Sequence, residues 1–202
     1  WIKENLQGRS VLNTFAYTGS LGVAAVAAGA SKVIQTDVNN SFLDVAISSL
    51  SLNGWQTTQT DIIAEDFFHV IGQFKRERCL FDCVIIDPPF FAESNSGRVD
   101  LLGGGEGLVN KVRPLVGDGG YLVIVNNALY LPGVDFMVFL QLICSSGYLS
   151  IFEIIEVPED VSGYPDTIFT APPVDPSPFN HSTKIVILSV KRKDGLKANY
   201  GT

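Results

Sequence analysis

Short apolar runs alternate with segments of helical periodicity along most of the chain, and that alternation sets the expected elements. Residues 11–15 (Val-Leu-Asn-Thr-Phe) read as a short buried strand, followed by a turn at 17–20 and an alanine-rich helix over 21–28 that Gly29 stops. The next strand covers 32–36 and ends at Asp37. Asn40 is then expected to cap a helix whose apolar positions include Leu43, Ile47 and Leu50 and which closes near Asn53-Gly54. A third strand at 61–64 leads into a helix opened by Glu65 or Asp66 and running to Phe74. A fourth strand at 81–86 is bounded by Asp87-Pro88-Pro89, and residues 91–105, with little periodicity, read as a loop. Beyond it the pattern predicts a helix over 106–116 perturbed by Pro114, a turn at 117–120, a strand at 121–125 and a helix over 135–145. Two last strands, 149–157 and 184–190, flank a proline-rich segment, 158–178.

Strands alternating with helices predict an α/β fold, a mostly parallel sheet with helices on both faces. The final two strands have no helix between them and are expected to pair antiparallel, giving seven strands with the last one reversed. No repeat and no linker divides the sequence, so residues 1–202 read as a single domain.

Composition narrows this picture. With 46% hydrophobic and 17% charged residues the chain is no disordered tail, and it fits a sheet buried on both faces. The net charge of -7 supplies no global basic field for a phosphate backbone. Three cysteines (Cys79, Cys83, Cys144) cannot all pair and form no CxxC, which points to reduced thiols in a cytoplasmic setting. With two histidines, His69 and His181, no dedicated metal site is expected. The uncharged stretch 10–31 is long enough to be tested as a membrane span, but its centre of Asn13, Thr14, Tyr17, Thr18, Gly19, Ser20 and Gly22 suits a strand-turn-helix instead. The chain opens on Trp1, and Trp1-Ile2-Lys3-Glu4-Asn5-Leu6 reads like the end of a helix, so an upstream segment is expected.

In open α/β sheets, ligands bind beyond the carboxyl ends of the strands. Three segments fall there. In the first, residues 13–22, Gly19 permits a tight turn and a close ligand approach. The second is Asp37, whose carboxylate can accept from two ribose hydroxyls. The third is Glu65-Asp66-Phe67, where Asp66 can accept from an adenine amino group and Phe67 can pack beside the ring. Asp37 and Asp66 could equally cap the helices that follow them. The candidates for holding a nucleoside cofactor are Asn13, Phe15, Tyr17, Thr18, Gly19, Ser20, Asp37, Val38, Asp66, Phe67 and Asp87. A dinucleotide dehydrogenase is disfavoured, because Ala16, Thr18 and Leu21 interrupt any G-x-G-x-x-G and no pyrophosphate cradle is visible.

The strand at 81–86 delivers Asp87 to the same edge. Pro88 and Pro89 hold the backbone extended and leave their carbonyls free to accept, while Phe90 offers a face for a planar base. Asp87, Pro88, Pro89 and Phe90 are therefore the candidate acceptor side of a transfer site. The alternative is a strand end with Phe90 and Phe91 filling core.

Together, residues 11–20 (Val-Leu-Asn-Thr-Phe-Ala-Tyr-Thr-Gly-Ser), Asp37, Asn53-Gly54 and Asp87-Pro88-Pro89 resemble the Rossmann-like class I methyltransferases that modify bases of bacterial-type large-subunit ribosomal RNA. The likeness runs to about Asn127. Beyond Pro158 it is thinner, although Asn180-His181-Ser182-Thr183-Lys184 is similar to one subgroup. The resemblance implies S-adenosylmethionine as methyl donor, an RNA base as acceptor and an RNA-binding region upstream. One departure stands out. Related cytosine-C5 enzymes place a nucleophilic cysteine after the fifth strand, where this chain has Val125-Asn126-Asn127-Ala128. Asn126 and Asn127 resemble the arrangement in members acting on guanine, and an amide can bond a base edge but cannot attack it. Asn126 could equally be a turn residue. Methylation of a nitrogen is thus favoured, with C5 chemistry still open. Methylation of a small molecule or a protein side chain, or a non-catalytic RNA- or partner-binding module, are the competing functions.

The remaining candidates are structural by default. His181 precedes a strand, Lys191-Arg192-Lys193 reads as a solvated cluster, and Tyr164-Pro165 with residues 170–180 form either a rim over the site or a stiff surface connection.

Overall fold

The computed structural model describes residues 1–55, 60–94, 97–100, 105–164, 166–167 and 170–200. A one-turn helix α1 (Ile2–Asn5) leads into β1 (Ser10–Thr14), α2 (Ser20–Ala27), β2 (Lys32–Asp37), α3 (Asn40–Leu52), β3 (Thr60–Ala64), α4 (Phe67–Arg76) and β4 (Phe81–Ile86). A hairpin of β5 (Phe91–Ser94) and β6 (Gly97–Asp100) follows. Then come α5 (Gly105–Val112), a 3-10 turn (Arg113–Leu115), β7 (Val116–Asn126), α6 (Gly133–Cys144), β8 (Leu149–Ile155), α7 (Glu159–Ser162) and β9 (Lys184–Val190).

Seven strands form one sheet in the order β3-β2-β1-β4-β7-β9-β8. The pairs among β3, β2, β1, β4 and β7 are parallel, and β9 runs antiparallel to both β7 and β8. Only the last strand is reversed, as the pattern predicts. Alternate residues of each central strand face opposite layers. Val11, Val33, Cys83, Ile85 and Ile187 pack with Ala25, Val26 and Leu50 on one face. Leu12, Ile34, Val84, Ile86, Leu122 and Ile124 pack with Val70, Phe74, Val109, Phe136 and Leu140 on the other. Each such side chain withdrawn from water contributes about 1.5–3 kcal/mol, which explains why β1 and β4 carry apolar residues on both faces.

Several expectations are corrected. The cap of α3 is Asn39, not Asn40: its extended backbone lets the side chain accept from Ser41 N at 2.9 Å. The segment read as a loop over 91–105 contains the β5–β6 hairpin, while residues 95–96 and 101–104 lie outside those described. Residues 117–120 are not a turn between elements but an irregular stretch inside β7, where register partners jump from Phe81↔Val116 to Cys83↔Tyr121. The helix expected over 106–116 stops at Val112, because Pro114 forces a 3-10 turn.

Of the expected solvated cluster Lys191 and Lys193 are exposed, but Arg192 is engaged. Arg192 makes a bidentate pair with Asp194 at 2.7 Å on each arm and donates to Pro114 O and Val116 O, while Lys197 pairs with Asp118 at 2.9 Å. Among the described residues none of the proline-rich segment lines the cleft described below. Gly133 N donates to Asp175 O at 3.0 Å, a Cβ on Gly133 would collide with the carbonyls of Pro176 and Ser177, and Phe179 is buried against Phe136. The segment is thereby pinned beneath α6. Pro165 lies outside the described residues. No helix among those described is long and apolar enough to cross a membrane.

Candidate functional site

From β1 the chain winds outward to β2 and β3 on one side, and from β4 to β7 on the other. The β1/β4 junction, with Thr14 opposite Ile86, is therefore the switch point where a crevice must open. A cleft of about 590 Å³ lies there, within the range of small-molecule sites. Its walls come from the carboxyl ends of β1, β2, β3 and β4, closed over by Glu93, Gly97 and Val99 of the hairpin.

The β1–α2 loop is held in a conformation that bulky residues avoid: Phe15 and Tyr17 have φ of 53° and 50°. Three contacts enforce it. Ala16 N donates to Thr36 O at 2.9 Å, Tyr17 N donates to Asp37 Oδ2 at 2.9 Å, and the Phe15 ring stacks on Phe67 at 4.4 Å. Asp37 Oδ1 accepts from Asn39 N at 2.9 Å. Asp37 is therefore not the cap of α3; it stiffens the loop on its inner edge while lining the cleft. Asp66 does cap α4, its Oδ1 accepting from Phe68 N at 3.0 Å and His69 N at 3.3 Å, yet it also lines the cleft.

Gly19 has a packing role. It caps α2 at φ 77°, and a Cβ there would collide with Ala46 and with the Gln35 side chain; a Cβ on Gly22 would strike Gln35 as well. These two glycines let α2 close over a buried glutamine. Gln35 Oε1 accepts from Asn13 Nδ2 at 3.4 Å, leaving Gln35 Nε2 and Asn13 Oδ1 buried without a partner among the described residues. Asn13 lines the cleft, so an acceptor without a donor sits in its wall.

On the opposite wall, Asp87 Oδ1 accepts from Asn127 Nδ2 at 2.8 Å, and Asn127 Oδ1 accepts from Thr183 Oγ1 at 3.0 Å. Burial pushes the Asp87 carboxyl up to about 6, against the Asn127 hydrogen bond, which pulls it down. Pro88 and Pro89 also line the cleft. Phe90 and Phe91 are 45% and 48% exposed, which removes the reading that they fill core, but Phe90 stands outside the lining. Asn126 is buried and closes a turn through Ala128 N at 2.9 Å, so it does not reach the cleft; Asn127 does.

Of the sequence-predicted residues, Asn13, Phe15, Tyr17, Ser20, Asp37, Val38, Asp66, Phe67, Asp87, Pro88, Pro89 and Asn127 line one cleft, whereas Thr18, Gly19, Phe90 and Asn126 do not. Phe42, Phe68, Glu93 and Val99 were not foreseen. Phe42 packs edge-on to Tyr17 at 4.4 Å and lies one helical position before Leu43, so its periodicity marked only α3. All three cysteines are free thiols raised by burial, and none lines the cleft. Among the described residues no cluster of three metal-ligating side chains occurs.

The cleft's charge is one-sided. Asp37, Glu65, Asp66, Asp87 and Glu93 line it, together with five aromatic rings, and no lysine or arginine does so among the described residues. Such a wall repels a pyrophosphate and favours a cationic ligand with a flat ring.

Residues 1–169 match the family model described as S-adenosylmethionine-dependent methyltransferase. The chain belongs to that family. It is 33% identical over 117 residues to the ribosomal RNA large subunit methyltransferase I of Aeromonas hydrophila, and 34% identical over 118 residues to that of Photobacterium profundum; each match covers 58% of this chain and 30% of the relative. The stretch matched in this methyltransferase chain thus spans under a third of their length. Its fold is similar to that of a protein described as a methyltransferase and solved with S-adenosylhomocysteine, with a TM-score of 0.79 at 21% identity, over 94% of this chain and 47% of the other.

Proposed function

We propose that this chain is a catalytic domain, spanning 1–202, that binds S-adenosylmethionine and methylates a base of large-subunit ribosomal RNA, with an upstream region supplying RNA affinity and the cytoplasm as its location. The observation that carries the reading is the acidic, aromatic cleft at the β1/β4 switch point with Asp87-Pro88-Pro89 as one wall. The relatives named for ribosomal RNA methylation support the substrate class.

The residues present fit the cofactor. Asp37 retains lone pairs for a ribose diol, the rings of Phe15, Phe42 and Phe68 suit an adenine, and the carboxylates suit a sulfonium and an ammonium. The orphaned Asn13 Oδ1 calls for a donor. Tyr17, Ser20, Val38, Asp66 and Phe67 complete that side. When bound, the cofactor supplies an electrophilic methyl group. The chain's own residues align the acceptor and exclude water. The carbonyls of Pro88 and Pro89 face an amino edge, Phe90 stands exposed at the outer end of the turn as a stacking surface, and Asn127 reads the base beside Asp87. Asp87 Oδ2 holds the proton that leaves an acceptor nitrogen, a role suited to a carboxyl poised near 6. With every cysteine outside the cleft, attack by nitrogen is favoured over a covalent route through carbon.

Methyl incorporation from labelled S-adenosylmethionine into unmodified ribosomal RNA tests this. Asp87→Asn is expected to lower the rate by roughly 10²–10⁴-fold, the usual contribution of a placed acid-base group. An unchanged rate would remove Asp87 from the chemistry, and incorporation only into a small molecule or protein would replace the substrate.

A further inference from the structure

The segment Asn180-His181-Ser182-Thr183-Lys184 is far from the cleft in sequence, yet each member is committed to a contact behind it. Asn180 clamps both backbone groups of Val157, accepting from its N at 2.9 Å and donating to its O at 2.8 Å. His181 Nδ1 accepts from Thr183 N at 3.0 Å. Lys184 is fully buried, and its Nζ donates to Ser182 O at 2.7 Å and Ala128 O at 3.3 Å, tying this segment to the one that carries Asn127. Burial lowers the pKa of that ammonium, so carrying a charge there is a cost accepted for the tie. Thr183 is left with its hydroxyl against Asn127 Oδ1 at 3.0 Å.

We propose that Thr183 is a positioning residue: donating to Asn127 Oδ1, it holds the amide with its N–H on Asp87 Oδ1, so that a proton taken up by Asp87 sits on Oδ2. Hydrogen-bond polarity sets the arrangement. An amide has one accepting and one donating end. Thr183 occupies the accepting end of Asn127, which leaves the donating end for Asp87 Oδ1 at 2.8 Å. Oδ1 must then remain an acceptor, so any proton that Asp87 takes up sits on Oδ2. Without Thr183 the Asn127 oxygen loses its donor, and the amide's hold on the ionised Asp87 carboxylate weakens. Thr183 and Asp87 lie on different strand ends, and Asn127 is the one bridge drawn between them.

The consequence for methyl transfer rests on the reading of Asp87 given above, but the relay itself is measurable without any ligand. Among the described residues the other titratable groups in the cleft are Tyr17, Asp37, Glu65, Asp66 and Glu93, with His181 and Lys184 behind the relay. Carbon-13 NMR of the aspartate carboxyls of the unliganded protein gives the titration of Asp87. Thr183→Val is expected to move the midpoint upward by about half a unit to one unit, the size of one lost hydrogen bond between neutral groups, and Thr183→Ser to restore it. In an Asn127→Ala background, Thr183→Val is expected to shift nothing further. A midpoint unmoved by Thr183→Val, or a shift that persists in the Asn127→Ala background, overturns the relay. Binding of S-adenosylhomocysteine by the same variants reports whether they fold. If Thr183→Val proves unfolded, the Thr183→Ser and Asn127→Ala titrations decide: the first must match wild type and the second must move upward. If Asp87→Asn methylates at the wild-type rate, the catalytic reading fails while the relay is still judged by its own titration.

Discussion

The two walls of the cleft are built in opposite ways. On the β1–β2–β3 side, polar groups are fixed by neighbours close in the chain: Asp37 holds Asn39 N and, 20 positions back, Tyr17 N, and Asp66 holds Phe68 N and His69 N. On the β4–β7–β9 side, Asp87 is held by Asn127, 40 residues away, and Asn127 by Thr183, 56 further on. A wall made of short-range turns and caps forms wherever its strands form. A wall made of long-range side-chain bonds exists only once the sheet has closed, and a single lost hydroxyl can weaken it. The first design suits a site that recognises an invariant cofactor. The second suits a residue whose proton must be placed on one oxygen.

The largest effect that separates the walls is expected at Asp37. Asp37→Ala removes two backbone anchors and the acceptor for a ribose, and calorimetry with S-adenosylmethionine is expected to show affinity falling by roughly 100-fold, equivalent to two charge-assisted hydrogen bonds. If Asp87→Asn weakened cofactor binding just as much, the division into a cofactor wall and an acceptor wall would collapse.

A smaller effect concerns stability and pH. Burial raises the folded-state pKa of Asp87 from its ordinary 3.8 to about 6. The protonated form is therefore the stabilised one. Its contribution is fully present below about pH 4 and is lost as pH rises through about 6, and above that the buried charge costs roughly 1–2 kcal/mol after allowance for partial solvent access. Urea unfolding of Asp87→Asn is expected to show that gain over wild type at pH 8 and none at pH 4. A constant difference across that range would mean that the carboxyl is not held as described.

The smallest effect lies on the local wall. Asp66→Ala removes the cap of α4 and is expected to cost about 1 kcal/mol by thermal unfolding, at any pH above the carboxylate range and with no ligand present. No loss would leave Asp66 as a cleft residue only.

This asymmetry also explains what could be read from the sequence. The strands β4 and β9 match their expected bounds, Phe81–Ile86 and Lys184–Val190, because an apolar run between polar stops is a local signal. Asp37, Asp66 and Asp87 were found because strand ends carry them to one edge whatever the side chains do next. The hairpin β5–β6 was missed: its pattern is irregular, and Gly97 is there because Phe68, from another element, leaves no room for a Cβ. The packing of Gly19 was hidden for the same reason, since Ala46 and Gln35 meet it only in the folded sheet. Asn126 and Asn127 are adjacent and chemically identical, yet one closes a turn and the other faces the cleft. Strand periodicity alone does not say which.

The central claim is that the cleft at the β1/β4 junction holds S-adenosylmethionine. Titrating the chain with S-adenosylmethionine and S-adenosylhomocysteine in a calorimeter, followed by chemical-shift mapping of the backbone amides, tests it most directly. Saturable binding of both with dissociation constants below about 1 mM is expected, with the largest shifts at Tyr17, Asp37, Val38 and Phe68. No heat and no shift with either compound at several millimolar, or shifts centred away from those residues, would contradict it.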